Sequence, residues 1–468
     1  TGGLNTFIGD AAGGANTTGG SNTFLGQAAG GACTTGGDNI AIGTNALDAL
    51  TTVGQVVAIG KHALGSNTSG DGNVAVGYNS GGSVTTAANN AIFGHGAGSA
   101  ITSGGSQTLV GKSAGAALTT GTGHTFIGWT AGDAATTGTD HVAVGYAALS
   151  TCTTSHQNTC VGAYAGTAVT TGGTNTLIGY RAGDAATTAG DLVGVGAGAL
   201  GSVTTGIRNV GVGVNSGTAV TTAANNILVG AFAGDALTTG GTNVGIGQNA
   251  IGAATTGYDN VCVGDHAGAS ITDGWGNVFI GQAAGDNVTT GDNNILIGTA
   301  DGSGVDAQNN IVLGKGIAGP GDNVFAFGKA SNVTQNTFTS NANWSQSSDE
   351  RLKTDIKDNT LGLDFINEME TKTYKWKPSY DVPEELTNHY NEENQKDTEV
   401  LMYGMMAQKV KASMDKHENP EFTGWLENKD GSQDLSREMF VIPLIKAVQE
   451  LSTQVTELKA EIKILKGE

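Results

Sequence analysis

The chain has 468 residues, 77 of them Gly, and a formal net charge of −20. Such acidity argues against nucleic acid as a partner, because phosphate binding needs a basic face. There is no run of 18 apolar residues, so no membrane insertion is expected, and no secretory leader is visible.

The first element recurs. Gly9, Gly26, Gly43 and their successors to Gly298 stand every 17 residues, 18 times without a slip, and Gly314 follows one residue early. A fixed short period of this kind marks a solenoid, in which each repeat is one coil that stacks on its neighbours. We count each repeat from this Gly as position 0. Position −1 is apolar in every repeat (Ile8, Leu25, Ile42), and position −3 is mostly Thr, Val or Ile. This alternation predicts a short strand. Position −4 is usually Asn (Asn5, Asn22, Asn39), which predicts a ladder of stacked amides. Position +3 is Ala or Ser in 17 coils, small enough for close backbone approach, and position +8 is Thr in 17, typically inside a Thr-Thr-Gly turn. Coils stacked at ~4.8 Å make a rod of roughly 85 Å. Only the −1 residue is reliably large and apolar, too little to close a core, so chains are expected to pack together, most simply as a homotrimer. The Asn-x-x-Ile-Gly-x-x-Ala core resembles the head repeats of trimeric autotransporter adhesins, which are left-handed β-rolls with a somewhat shorter repeat. It also resembles phage tail-fibre shafts.

Position +1 varies most. It reads Tyr78, His95, Lys112, Trp129, Tyr146, Ala163 and Tyr180 in successive coils. Facing outward, Tyr78, His95, Trp129, Tyr146 and Tyr180 form an aromatic stripe and are candidate receptor or glycan contacts. Packing between subunits is the competing reading. His124 and His141 take the place of the ladder Asn in adjacent coils and read as substituted rungs, so no metal is assigned. No cofactor is implied. The Gly-x-Gly clusters precede no helix and are turns. Cys33, Cys152, Cys160 and Cys262 lie too many coils apart within each shared register to bridge, and read as small buried apolar residues. The chain opens at Thr1 in mid-repeat, as expected of a piece of a longer fibre.

Composition then breaks. Residues 1–340 hold 72 of the 77 Gly, one Pro, no Glu and no Met, whereas every Glu and all six Met follow. We divide the chain into a shaft (1–330), a polar linker (331–347) and a C-terminal domain (348–468). That domain ends in a predicted coiled coil over 441–466. There Val441, Leu444, Val448, Leu451, Val455, Leu458, Ile462 and Leu465 alternate at spacings of three and four.

The run Ser347-Ser348-Asp349-Glu350-Arg351-Leu352-Lys353 places a Ser and a Lys five residues apart, a spacing compatible with a Ser–Lys dyad. A solvated charged face is the plainer reading. With Gly404-Met405-Met406-Ala407-Gln408 and the final coiled coil, the run resembles the peptidase S74 family, intramolecular chaperones at the ends of phage tail spikes and fibres. The resemblance implies a trimerising domain that assists folding and then cuts itself off in one turnover. It implies Ser348 as nucleophile, the Ser347–Ser348 bond as the cleavage site, and Lys353 as base. Asp349, Glu350 and Arg351 would be supporting residues. Lys409 departs from the family, which commonly carries an acidic residue there.

The expected molecule is mainly β: a trimeric solenoid of 17-residue coils followed by a small α+β chaperone domain. The expected role is a virion tail fibre for host attachment, contacting a surface glycan or protein. A bacterial surface adhesin of the same build, an ice-binding solenoid and a purely structural spacer are the alternatives.

Overall fold

Each 17-residue repeat opens with a three-residue strand, from Thr6–Ile8 and Thr23–Leu25 at the start to Val278–Ile280. The strand ends at the position 0 Gly because the chain must turn there with a backbone that only Gly adopts readily. Gly128 has φ 142°, and a Cβ on it would meet the Gly145 carbonyl oxygen at 2.3 Å. In the computed structural model, described for residues 2–299, 304–317, 321–330, 332–337, 350–386, 389–394 and 398–467, these strands line up as one 21-stranded sheet. Neighbours pair in parallel, each residue opposite its equivalent 17 positions on, as in Thr6↔Thr23 and Val193↔Val210. The offset shortens at the end, with Ile295↔Ile311 and Ile311↔Phe325. Asn332–Thr337 then returns antiparallel along Val324–Lys329 and covers the last parallel edge.

The interior is narrow but continuous. Position −2 points inward (Phe24, Ala41, Leu109), together with +3 (Ala29, Ala46, Ala114) and +7 (Leu50, Ile101, Leu118), all fully buried. Here the sequence expectation needs correcting: a single chain does close a core, and it does so without the −1 residue. Period-two alternation turns −1 and −3 outward once −2 points in, so Leu25, Phe93 and Ile127 stay exposed. In many coils the volume at position −2 is balanced by position +4, and where both are small, as at Gly211 and Gly217, Leu200 and Leu228 of the neighbouring coils fill the space. Phe24, Phe126 and Phe279 are matched by Gly30, Gly132 and Gly285, whereas Ala41, Ala58 and Ala143 are matched by Leu47, Leu64 and Leu149. A Cβ on Gly285 would lie 2.6 Å from the Phe279 ring.

The Asn ladder forms as expected. The Asn22 N–H donates to Asn5 Oδ1 at 2.8 Å, and Asn22 Nδ2 donates to the Gly36 carbonyl at 2.9 Å. From Asn243 to Asn294 the amides also bond to one another at 3.0–3.1 Å. The first Thr of each turn donates its hydroxyl to the next coil, as Thr17 Oγ1 does to the Thr34 carbonyl at 3.0 Å. All four Cys are buried and unbridged.

The chain divides into two compact units, Thr1–Ser347 and Ser348–Glu468. Among the described residues, the second has three α-helices: Leu363–Asn367 (α1), Ala407–Lys416 (α2) and Val441–Leu465 (α3). Two short antiparallel pairs accompany them, Lys372–Tyr374 with Met402–Gly404 and Trp425–Glu427 with Gln433–Leu435. Phe365, Val410, Met414 and Phe440 form its core, with Phe365 stacked on Phe440 at 6.3 Å. α3 is tied to α1 by Glu450, whose carboxylate accepts the Leu363 N–H at 2.7 Å. Glu368 joins α1 to α2 through Ser413, at 2.7 Å, and Lys416. The Lys416 hydrogen bond first, then that from Ser413, holds the Glu368 carboxyl down at about 2. Beyond Glu450, no described residue shields α3, and every residue from Leu451 to Gly467 is exposed.

Candidate functional site

The described residues that follow the candidate cleavage bond begin in a short turn. Glu350–Leu352 forms a single 3-10 turn, closed by the Lys353 N–H donating to the Glu350 carbonyl at 3.0 Å. This places Arg351 and Lys353 on an exposed stretch, flanked by the exposed apolar side chains Leu352 and Ile356. Ser347, Ser348 and Asp349 lie outside the described residues. A lysine acting as general base needs shelter from water, and the described residues of its own unit leave Lys353 exposed. The Gly404–Gln408 segment links the Met402–Gly404 strand to α2, and Met405 packs against the core. Lys409 lies exposed in the first turn of α2, with its N–H on the Met406 carbonyl at 3.0 Å.

On the shaft, the +1 side chains do stand outward. Tyr78, Trp129, Tyr146 and Tyr180 are 42–53% exposed. Tyr78 stacks on His95 at 5.0 Å, and Trp129 tilts against Tyr146 at 5.3 Å. Ala163 would interrupt the stripe, but Tyr164 fills the gap from position +2, 5.0 Å from Tyr146 and 6.3 Å from Tyr180. Sequence reasoning missed Tyr164 because it followed one position only. The sequence carried no signal for it, because what brings +2 to the same side is the left-handed backbone that this position takes in coil after coil (His62, Asn79, Thr130, Tyr164, Arg181). The Tyr164 phenol is raised above its ordinary value, chiefly by its hydrogen bond with Tyr146. Cations complete the row. Lys112 lies over Trp129 at 5.6 Å, and Arg181 over Tyr164 and Tyr180 at 5.6 and 5.5 Å.

His124 and His141 are rungs of the ladder. The His141 N–H donates to His124 Nδ1 at 3.2 Å, and the Asn158 N–H donates to His141 Nδ1 at 3.1 Å. Each imidazole thus accepts where Asn Oδ1 would. His141 Nε2 meets the Ser155 carbonyl at 2.8 Å, so that nitrogen carries the proton. Burial pushes both down to about 4.

A long single-sheet solenoid followed by a small helical unit is a fibre-like build, and the family match of its C-terminal part makes that part a chaperone domain. Residues 348–418 match the peptidase S74 family, described as chaperone of endosialidase, a family of self-cleaving intramolecular chaperones. No curated protein and no solved structure matches the chain.

Proposed function

We propose that this chain is one subunit of a trimeric attachment fibre of a phage tail, whose C-terminal unit registers three chains, assists their folding and then releases itself. The observation that carries the proposal is the stripe formed by positions −3 and −1. Along the shaft these positions hold only Val, Ile, Leu, Phe, Ala or Thr, with no charged residue in any coil, and none of them is buried: each is exposed or half-buried. A lone solenoid in water has no use for such a face. A partner that follows it coil by coil must share its pitch, and a further copy of this chain does. Roughly 80 Å of stripe about 10 Å wide offers each partner on the order of 800 Å², the size of a standard interface. The heptad seam of α3, exposed at Leu444, Leu451 and Leu458, supports the same reading.

Release follows from the Ser–Lys pair. Lys353 Nζ, entering as the neutral amine, takes the Ser348 hydroxyl proton while Oγ attacks the Ser347 carbonyl carbon. The Ser347–Ser348 C–N bond breaks as the proton passes to the departing nitrogen, leaving an ester on Oγ that water hydrolyses. Reaction within one chain needs no substrate pocket, and fixed proximity can supply roughly 7–11 kcal/mol of the barrier. Exposed Leu352 and Ile356 beside Lys353 suit burial by neighbouring copies, so that cutting waits for assembly.

The test is the intact mass of denatured protein, with Ser348→Ala and Lys353→Ala alongside, and the native mass by light scattering. A wild-type break at Ser347–Ser348 that both variants lose, in a particle of three chains, is expected. An uncut wild type overturns the self-release, and a monomeric uncut variant overturns the fibre.

A further inference from the structure

We propose that the outward row running from Lys61 to Arg181 binds a linear, sparsely carboxylated polysaccharide lengthwise. This deepens the attachment reading above and rests on it.

The first observation is segregation of charge. Residues 1–347 carry six Lys and Arg, and five of them (Lys61, Lys112, Arg181, Lys315, Lys329) occupy position +1 or +2. The same stretch carries seventeen Asp, and only Asp10 and Asp265 share those positions. An acidic shaft has therefore gathered its cations on one row and kept its carboxylates off it between Lys61 and Arg181. Asp184 approaches that row from the side, 3.9 Å from Arg181.

The second observation is the platform between the cations. From Trp129 through Tyr146 and Tyr164 to Tyr180 the rings touch without a gap. They advance by one coil, ~4.8 Å, at each step, close to the length of one sugar ring in an extended chain. Rigid rings with polar tips suit the apolar faces of pyranoses.

Spacing selects the ligand class. Lys61 and Lys112 are three coils apart, and Lys112 and Arg181 four, or about 14 and 19 Å at ~4.8 Å per coil. A nucleic acid strand presents a phosphate about every 3.4 Å and would meet far too few cations. One carboxylate every three or four sugars matches the row. Nor does the row suit packing between subunits. In an in-register threefold assembly a residue on the axis meets its own copies, and Lys112 and Arg181 would then face like charges.

The probe is deacylated gellan fragments, linear with one glucuronate in four sugars, titrated into the full chain carrying Ser348→Ala. Carboxyl-reduced gellan is the neutral control. Saturable binding is expected, weakening with added salt. It should fall at least tenfold in Trp129→Ala/Tyr146→Ala and severalfold in Lys112→Gln/Arg181→Gln, with native mass and circular dichroism unchanged. The cation variant should also lose the salt dependence. Absence of saturable binding, or equal binding of the reduced polymer, overturns the proposal. So does a change of native mass in the aromatic variant, since it would make the row a subunit contact. Native mass and cleavage of the parent chain report separately on the fibre reading, so failure of one is not mistaken for failure of the other.

Discussion

At the scale of single residues, many coils of the shaft exchange volume between positions −2 and +4. Phe279 is fully buried and Gly285 makes room for its ring, whereas Leu149 leans over Ala143 from the position equivalent to Gly285. The backbone permits either choice, since Gly285 and Leu149 have φ of 64° and 53°. Phe279→Ala should cost about 3–5 kcal/mol through the cavity it leaves. Gly285→Leu alone should destabilise by overpacking. The double variant should recover at least half of the loss, giving a coupling above ~1 kcal/mol in denaturant unfolding. Additive effects would remove the exchange as an explanation. This reciprocity was not legible in the sequence because position −2 has no consensus, +4 is mostly Gly, and the exchange shows only when the two are read as a pair, with Gly211 and Gly217 small at both.

At the scale of an element, the ladder is a column of buried acceptors, each used by the next coil. Two rungs can titrate. His124 and His141 stack at 5.1 Å, and burial lowers both to about 4. The second cause at His124 is the neighbouring His141, and Asp140 and His156 act on both rings with opposite signs. The unfolded chain, with ordinary imidazoles near 6.5, binds more protons than the folded one between about pH 4 and 6.5. Stability is therefore whole above about 6.5, falls as pH drops towards 4, and then levels. Each ring should lose on the order of 3 kcal/mol across that window. Hydrogen-exchange protection in the coils around residues 124–141, taken relative to the intrinsic rate at each pH, should fall between pH 7 and 4.5, and His124→Asn/His141→Asn should remove the effect. Equal acid sensitivity in that variant would mean that other groups cause it. The ladder itself was legible from Asn at −4. The substituted rungs were legible as substitutions, but their tautomer required the Ser155 carbonyl to be placed.

At the scale of the whole molecule, apolar surface is left over in both units. Leu451→Glu/Leu458→Glu, made on Ser348→Ala so that the tail stays attached, should abolish association by light scattering, because charges at seam positions face one another in a coiled coil. Undiminished association would assign assembly to the shaft stripe alone. The chain by itself determined the solenoid, its pitch, its ladder and the heptad seam, because each is a periodicity and a period survives without coordinates. It also carried the Ser-Asp-x-Arg-x-Lys run, whose segment matches the chaperone family over residues 348–418. The tertiary structure decided which way each strand faces. Three residues alternate equally well in either sense, and only closure of the coil around −2, +3 and +7 settled that the most regular apolar position lies outside. It decided likewise that Tyr164 and Arg181 join the +1 row, because a left-handed backbone at +2 turns two sequence positions into one surface.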